Sequence, residues 1–243
     1  MSQYATFREE CAAEVEAQGA DDEFLAVTQD WIGRSMHSKY SYHFEWMGRP
    51  VIQYPQDVLA MQEILFEVKP DLVIETGIAH GGSLILYSSL LELNALHGGP
   101  SDARVVGVDI EIRPHNRAAI EAHPMAGRID MIEGSSVAPD VVEKVHRLAK
   151  GRQTVLVCLD SLHSHDHVLA ELEAYAQLTT VGSYCVVFDT VAETLPQSYF
   201  DAADRRTPSS HYASPPSRAE TRAAAPDPPG PGSTRARARA AAA

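Results

Sequence analysis

Cysteine is scarce in this chain of 243 residues, occurring only at Cys11, Cys158 and Cys185. An odd, sparse set excludes a disulfide scaffold. Cys158 and Cys185 lie inside apolar runs, so they read as buried free thiols of a reducing compartment. Long apolar runs are also missing, since no stretch approaches the ~18 residues that span a bilayer. The opening MSQYATFREECAAEVEA is acidic and lacks the charged-then-apolar order of a signal peptide, so a cytoplasmic location is the expectation. Cationic side chains are few, with 20 Lys and Arg against 33 Asp and Glu and a formal net charge of -13. Such a body offers little to neutralise phosphates, which argues against nonspecific nucleic-acid binding. What is present, 44% hydrophobic and 22% charged residues, is ordinary globular composition.

The average charge hides a division. From Arg205 onward there are seven Arg, no Lys, and only Glu220 and Asp227, a net of +5 that leaves -18 for residues 1–204. Residues 206–243 contain no Leu, Ile, Val, Met, Phe, Trp or Cys. Such a segment buries too little apolar area to offset its ordering entropy, so disorder is expected. Ala/Pro/Arg text such as AAAPDPPGPGSTRARARAAAA is what a shifted frame of a GC-rich gene yields. That origin is preferred to a basic arm, because the Arg residues lack aromatic interleaving. The expected organisation is a helical and aromatic cap over 1–50, a main domain over 51–204 and a tail over 205–243.

The body opens with two acidic amphipathic helices, over 11–18 and 22–32. Tyr40, Tyr42, Phe44 and Trp46 then alternate strictly, which predicts an extended segment with one buried face, either capping the core or walling a pocket. A helix is predicted over 55–68, with Pro55 in its first turn and Val58, Met61, Ile64, Leu65 and Val68 on one stripe. From residue 72 the text repeats strand, loop, helix. Apolar strands are predicted at 72–75, 104–109, 129–132, 154–160 and 183–189. Helices fall between them at 83–96, 116–123, 139–149 and 167–178, with Val141, Val142, Val145 and Leu148 inward on the third. Continuous apolar strands alternating with helices define a parallel sheet covered on both faces. Right-handed crossovers place every strand's C-terminal end on one edge, where ligands of open α/β sheets sit. That edge receives Glu75, Asp109, Asp160 and Asp189.

The segment ETGIAHGGS, 75–83, carries Gly77, Gly81 and Gly82, with His80 among them, in a loop between the first strand and its helix. The spacing G-x-x-x-G-G is not the dinucleotide G-x-G-x-x-G, since Ala79 stands where the pyrophosphate needs glycine. A carboxylate just before the loop repels a diphosphate and welcomes a cation, so Glu75 suits the sulfonium and amino group of S-adenosylmethionine. The alternative is a plain glycine-rich turn. Asp109, ending the second strand, can accept both ribose hydroxyls of an adenosyl group. Ser135 and Ser136, after the third strand, are candidates to line its adenine. The segment LDSLHSHDHV, 159–168, is the densest polar cluster, and Ser164 is expected to cap the helix that follows. A zinc trio of His163, His165 and His167 would need an extended chain where a helix should begin. Asp160 and Asp189 instead end neighbouring strands, and two carboxylates describe an Mg²⁺-type oxygen site. His163, three residues beyond Asp160, has a side chain suited to general-base work at neutral pH.

The runs RPVIQYPQDVLAMQE, KPDLVIETGIAHGGSLILYSSLLEL, VVGVDIEIRPHNR, LDSLHSHDHVLAELEAY and VVFDT resemble the cephalosporin hydroxylase family, whose members look like S-adenosylmethionine-dependent methyltransferases. The resemblance covers about residues 30–204. It implies the Rossmann-like class I methyltransferase fold, with Glu75, Gly77, Gly81, Ser83 and Asp109 at the methyl donor. Related metal-dependent sugar and macrolide O-methyltransferases carry an Asp after the fourth strand, a His three residues later, and Glu-Asp after the fifth. Asp160, His163 and Asp189 match, while the Glu position is Phe188, with Glu193 the nearest replacement. The family continues into two further strands where this chain enters its tail. The expected sheet therefore has five strands in the order 3-2-1-4-5, with a bare apolar edge that a second copy of the chain would cover in a homo-oligomer. The activity implied is metal-assisted O-methylation of a sugar or glycosylated metabolite, in natural-product or polysaccharide biosynthesis. An inactive donor-binding relative and, behind it, a hydroxylase are the alternatives, and NAD chemistry is disfavoured by the glycine spacing.

Overall fold

The computed structural model describes residues 3–191 and, as backbone, 237–240. Helices α1 (Gln3–Gly19) and α2 (Asp22–His37) lead to a short 3₁₀ turn at Tyr40–His43 and a hairpin of β1 (Phe44–Trp46) and β2 (Arg49–Val51). There follow α3 (Pro55–Val68), β3 (Leu72–Thr76), α4 (Gly82–Leu96), β4 (Arg104–Asp109), α5 (Pro114–Glu121) and β5 (Ile129–Glu133). Then come α6 (Pro139–Ala149), β6 (Val155–Leu159), α7 (His165–Tyr175), β7 (Tyr184–Val187) and β8 (Arg237–Ala240).

Strands β5, β4, β3, β6 and β7 pair in parallel in that spatial order, which is the 3-2-1-4-5 arrangement the sequence implies. Alternate residues of each strand feed two separate cores. Val73, Val105, Leu156, Cys158 and Val186 pack with Met61 and Leu65 of α3, with Leu84, Tyr87 and Leu91 of α4, and with Ile120 of α5. Leu72, Ile74, Val106, Val108, Val157 and Leu159 face the other way, onto Val141 and Val145 of α6 and Tyr175 of α7. Two buried faces explain why these strands read as unbroken apolar runs.

Several local expectations need correction. The aromatic alternation is not one extended segment. Lys39 takes a left-handed φ of 56° and starts the 3₁₀ turn, leaving only Phe44–Trp46 as strand. Tyr40 nevertheless joins Phe44, Trp31 and Tyr54 in edge and tilted ring contacts, with centroids 5.0–6.0 Å apart, because contact across a turn does not need a period of two. On α6 Val141, Val145 and Ala149 are buried and Val142 packs partly buried beside them, while Leu148, expected inward, is exposed. Ser164 does stand at the start of α7, but its side chain makes no capping bond. Helix α1 buries no residue, so the reading of an amphipathic helix at 11–18 gains no packed face. The outer edge of β7 is not bare. Arg237–Ala240, from the segment expected to be disordered, pairs with it in parallel, so the sheet has six strands. An unpaired strand edge accepts any extended backbone, and R-A-R-A carried no apolar signal to announce it. Glu193 lies outside the described residues, as does most of the tail. No helix among the described residues is long and apolar enough to cross a membrane.

Candidate active site

The loops that follow β3, β4, β6 and β7 meet on one edge of the sheet, and the backbone ladder extends into them. Asp160 N–H donates to Thr76 O at 2.9 Å, Gly77 N–H to Val108 O at 2.8 Å and Phe188 N–H to Leu159 O at 3.0 Å. The first glycine is required by contact as well as by turn geometry. Gly77 has φ +93°, and a Cβ there would lie 1.9 Å from the Asp160 carbonyl oxygen. At Gly82 a Cβ would lie 2.1 Å from Pro50 O. These glycines let backbone meet backbone.

The same loop is pinned from both sides. Asp109 Oδ2 accepts the N–H of Ile78 at 2.8 Å and of Ala79 at 3.1 Å, and Oδ1 accepts that of Glu111 at 3.1 Å. The carbonyl groups are taken by Asn116, whose Nδ2 donates to Ala79 O at 2.9 Å, and by Arg49, which donates to His80 O and to Asn116 Oδ1. Ala79 is thereby held at φ +45°. Asp109, expected at a ribose, braces the loop in this structure.

Between this loop and residues 50–53 lies a cleft lined by Pro50, Val51, Ile52 and Gln53 on one side, and by Gly77–His80, Gly82, Ser83 and Asp160 on the other. The N-terminus of α4 has no side-chain cap, so its first N–H groups are free to meet an anion. Glu75 stands behind this wall, 0% exposed. It accepts the Ser83 hydroxyl at 2.7 Å. Tyr87, one turn further along α4, is close enough to favour its ionised form, yet Glu75 Oε1 and Tyr87 Oη complete no hydrogen bond. Burial pushes the Glu75 carboxyl up to about 8, against the opposing pull of Ser83 and Tyr87, with Asp109 adding repulsion. Glu75 is therefore largely neutral at pH 7 until a cation favours its charge.

The acid cluster lies at the end of the cleft. Asp160, His163 and Asp189 each offer one ligand atom, and these atoms all lie within 4.8 Å of one another. His163 Nε2 is 3.2 Å from Asp189 Oδ2 and 3.8 Å from Asp160 Oδ1. Two donors on one magnesium-sized ion, each at 2.0–2.1 Å, are separated by at most about 4.2 Å, so these spacings suit a small hard cation after slight contraction. The electrostatics agree. Burial first, then Asp189 and Glu75, raise the Asp160 carboxyl well above its usual range. Burial, with Asp189, raises Asp57 to about 6. Carboxylates that hold one another's charge down are short of a counter-ion. Asp189 reaches the cluster from a left-handed φ of 57°, while Phe188 beside it points into the core.

The structure thus assembles Gly77, His80, Gly82, Ser83 and Asp160 around one cleft, with Asp189 and His163 at its end. It places Glu75 behind the wall and Gly81 against Ile120. Ser135 and Ser136 are not among the residues lining this cleft. The Ser136 hydroxyl is 3.2 Å from His167 Nε2, and its carbonyl accepts the Tyr175 hydroxyl, so it ties the β5 loop to α7. The three histidines take different partners: His163 faces Asp160 and Asp189, His165 pairs with Asp166, and His167 lies against Ser136 and Glu171. Sequence reasoning missed Gln53, Asp57, Tyr87, Arg49, Asn116 and Glu171.

A parallel sheet with a glycine loop after its first strand and acids at its strand ends defines a Rossmann-like α/β protein with a ligand cleft at the strand ends. More particularly, the chain belongs to the Rhamnosyl O-methyltransferase/CmcI family, which it matches over residues 38–209. It is 34% identical over 167 residues to a rhamnosyl O-methyltransferase of Mycobacterium leprae, covering 66% of this chain and 69% of that one. It is 29% identical over 170 residues to the rhamnosyl O-methyltransferase of Mycobacterium tuberculosis H37Rv, covering 66% and 64%. The chain thus spans about two thirds of the length of the curated relatives it matches. Among solved structures, it is similar to the O-methyltransferase TomG from Streptomyces achromogenes in complex with SAM. That likeness has a TM-score of 0.48 at 16% identity and covers 80% of this chain and 81% of TomG. A CmcI structure with Mg and SAM gives a TM-score of 0.46 at 18% identity, covering 68% and 67%.

Proposed function

We propose that this protein is an S-adenosylmethionine-dependent O-methyltransferase acting on a hydroxyl of a sugar or glycosylated metabolite, with the help of a divalent cation of the magnesium type. The observation that carries the reading is the placing of Asp160, His163 and Asp189 at the end of the glycine-loop cleft, in a chain that belongs to the Rhamnosyl O-methyltransferase/CmcI family. The donor's methionine end would lie along Gly77–Ser83, with its carboxylate at the uncapped start of α4. Asp109 would turn from the loop to the ribose. Glu75 would regain its charge behind the sulfonium and ammonium groups.

Asp160 and Asp189 would hold the cation, which lowers the pKa of an acceptor hydroxyl when bound. The acceptor oxygen forms a bond to the methyl carbon as the carbon–sulfur bond breaks, and the hydroxyl proton passes to His163. The products are the methyl ether, S-adenosylhomocysteine and a proton. Much of the acceleration would come from alignment of oxygen, carbon and sulfur. A second reading is favoured by the position of His163 Nε2 within 3.2 and 3.8 Å of the two carboxylates. There His163 is the third ligand, and Asp57, with its raised pKa, takes the proton.

Calorimetry and turnover of His163→Ala separate the two. A base predicts intact Mg²⁺ binding with turnover lost, and a ligand predicts that Mg²⁺ binding itself is lost. Absence of saturable S-adenosylmethionine binding by the wild-type protein would overturn the donor reading altogether. Donor binding without methyl transfer to any member of a glycoside panel would identify an inactive relative.

A further inference from the structure

Gln53 follows β2 and precedes α3, on the strap that forms the cleft wall opposite the glycine loop. It is 5% exposed, and both atoms of its carboxamide, Nε2 and Oε1, lack a hydrogen-bond partner. The amide favours the ionised forms of Asp160 and Tyr87 against the larger effect of burial, but neither contact meets hydrogen-bond geometry. An amide shut away from water with both ends unpaired costs roughly 1–3 kcal/mol per orphaned group, so a fold that keeps one has a use for it. The use is local. Gln53 lines the same cleft as Asp160 and as Ser83 in the uncapped first turn of α4. The two ends of its carboxamide differ in sign: the NH₂ group donates to an anion, and the carbonyl oxygen accepts from a cation.

We propose that Gln53 contacts the ligand of this cleft directly and takes the α-amino-acid head of the methyl donor, its NH₂ group on the carboxylate and its carbonyl oxygen on the ammonium. The inference deepens the donor reading above and rests on it. Sugar hydroxyls also pair with amides. The start of α4, however, is where a carboxylate is best accommodated, and only a zwitterionic head presents both signs there at once. Asp160 on the same wall adds negative charge for the ammonium group.

The test uses the full-length protein and two probes, S-adenosylhomocysteine and 5′-methylthioadenosine, which keeps the adenosine and sulfur but lacks the amino-acid head. Wild-type protein should bind both. Gln53→Leu should weaken S-adenosylhomocysteine binding by at least about tenfold, as expected for hydrogen bonds to charged groups, and leave 5′-methylthioadenosine binding unchanged. Should Gln53→Leu fail to fold, as judged by its melting transition, Gln53→Met keeps the chain length without polar atoms and is read in the same way. Equal loss for both probes, or no loss for either, overturns the proposal and leaves Gln53 as a residue of the cleft wall partnered by water. If the wild-type protein binds neither probe, the donor reading itself falls, a result visible before any variant is made.

Discussion

On the glycine-loop side of the cleft, polar groups are paired within the chain. Asp109 takes the N–H groups of Ile78 and Ala79, while Asn116 and Arg49 take the carbonyls of Ala79 and His80. On the facing strap Gln53 has no hydrogen-bond partner among the described residues, and at the end of the cleft Asp160 crowds its charge against Asp57 and Asp189. The first region is a finished scaffold. The second is left incomplete, and incompleteness in a well-packed protein marks where a ligand's free energy is to be gained. A stiff loop and an unsatisfied cluster are complementary, since the loop fixes the place from which unpaired groups act.

Substitutions can break this contrast or sharpen it. The largest effect is expected from Gly77→Ala. It combines a methyl group 1.9 Å from Asp160 O with a left-handed backbone, and should lower stability by roughly 3 kcal/mol in denaturant melts. Asp109→Ala removes the acceptor for the Ile78 and Ala79 N–H groups and should cost roughly 2 kcal/mol, undoing the pinned side alone. Glu75 gives a pH signature. Its carboxyl is raised from 4.5 to about 8, so between these values the folded chain holds the proton more tightly than the unfolded one. The stability that this protonation contributes is fully present below about 4.5 and is lost as pH rises through about 8. Glu75→Gln should flatten that part of the curve of melting temperature against pH. The smallest effect sharpens the unsatisfied side. Asp160→Asn relieves repulsion and should stabilise the metal-free protein by less than about 1 kcal/mol, and it should erase the stabilisation that added Mg²⁺ gives the wild-type protein.

Much of the frame was legible beforehand, for a physical reason. β3, β4, β6 and β7 lie between two helical layers, so both strand faces are apolar and the runs stand out. The helices α3 and α6 begin at Pro55 and Pro139, where a missing N–H is no loss. Asp160 and Asp189 could be paired because adjacent parallel strands end together. Residues that act through sequence-distant contacts were not visible. Nothing around Asn116 or Arg49 announces that they hold carbonyls of a loop some 30 residues away. Gln53 reads as an ordinary polar residue until its burial is known. Tyr40 and Tyr42 misled because strict alternation suits a strand, while Lys39 turns the chain by a conformation that no periodicity encodes. Asp109 was placed correctly at a strand end, but its engagement with backbone N–H groups depends on a loop shape set by Gly77 and Ala79.

The contact between Gly77 and the Asp160 carbonyl has a last consequence. A reaction that must align three atoms tolerates little play between the part that carries the methyl group and the part that activates its acceptor. Here the glycine loop and the Asp160 loop touch through bare main chain, with no rotatable side chain to act as a cushion. If the first is the donor shelf and the second the cation seat, as proposed, the two would drift together and keep their mutual distance.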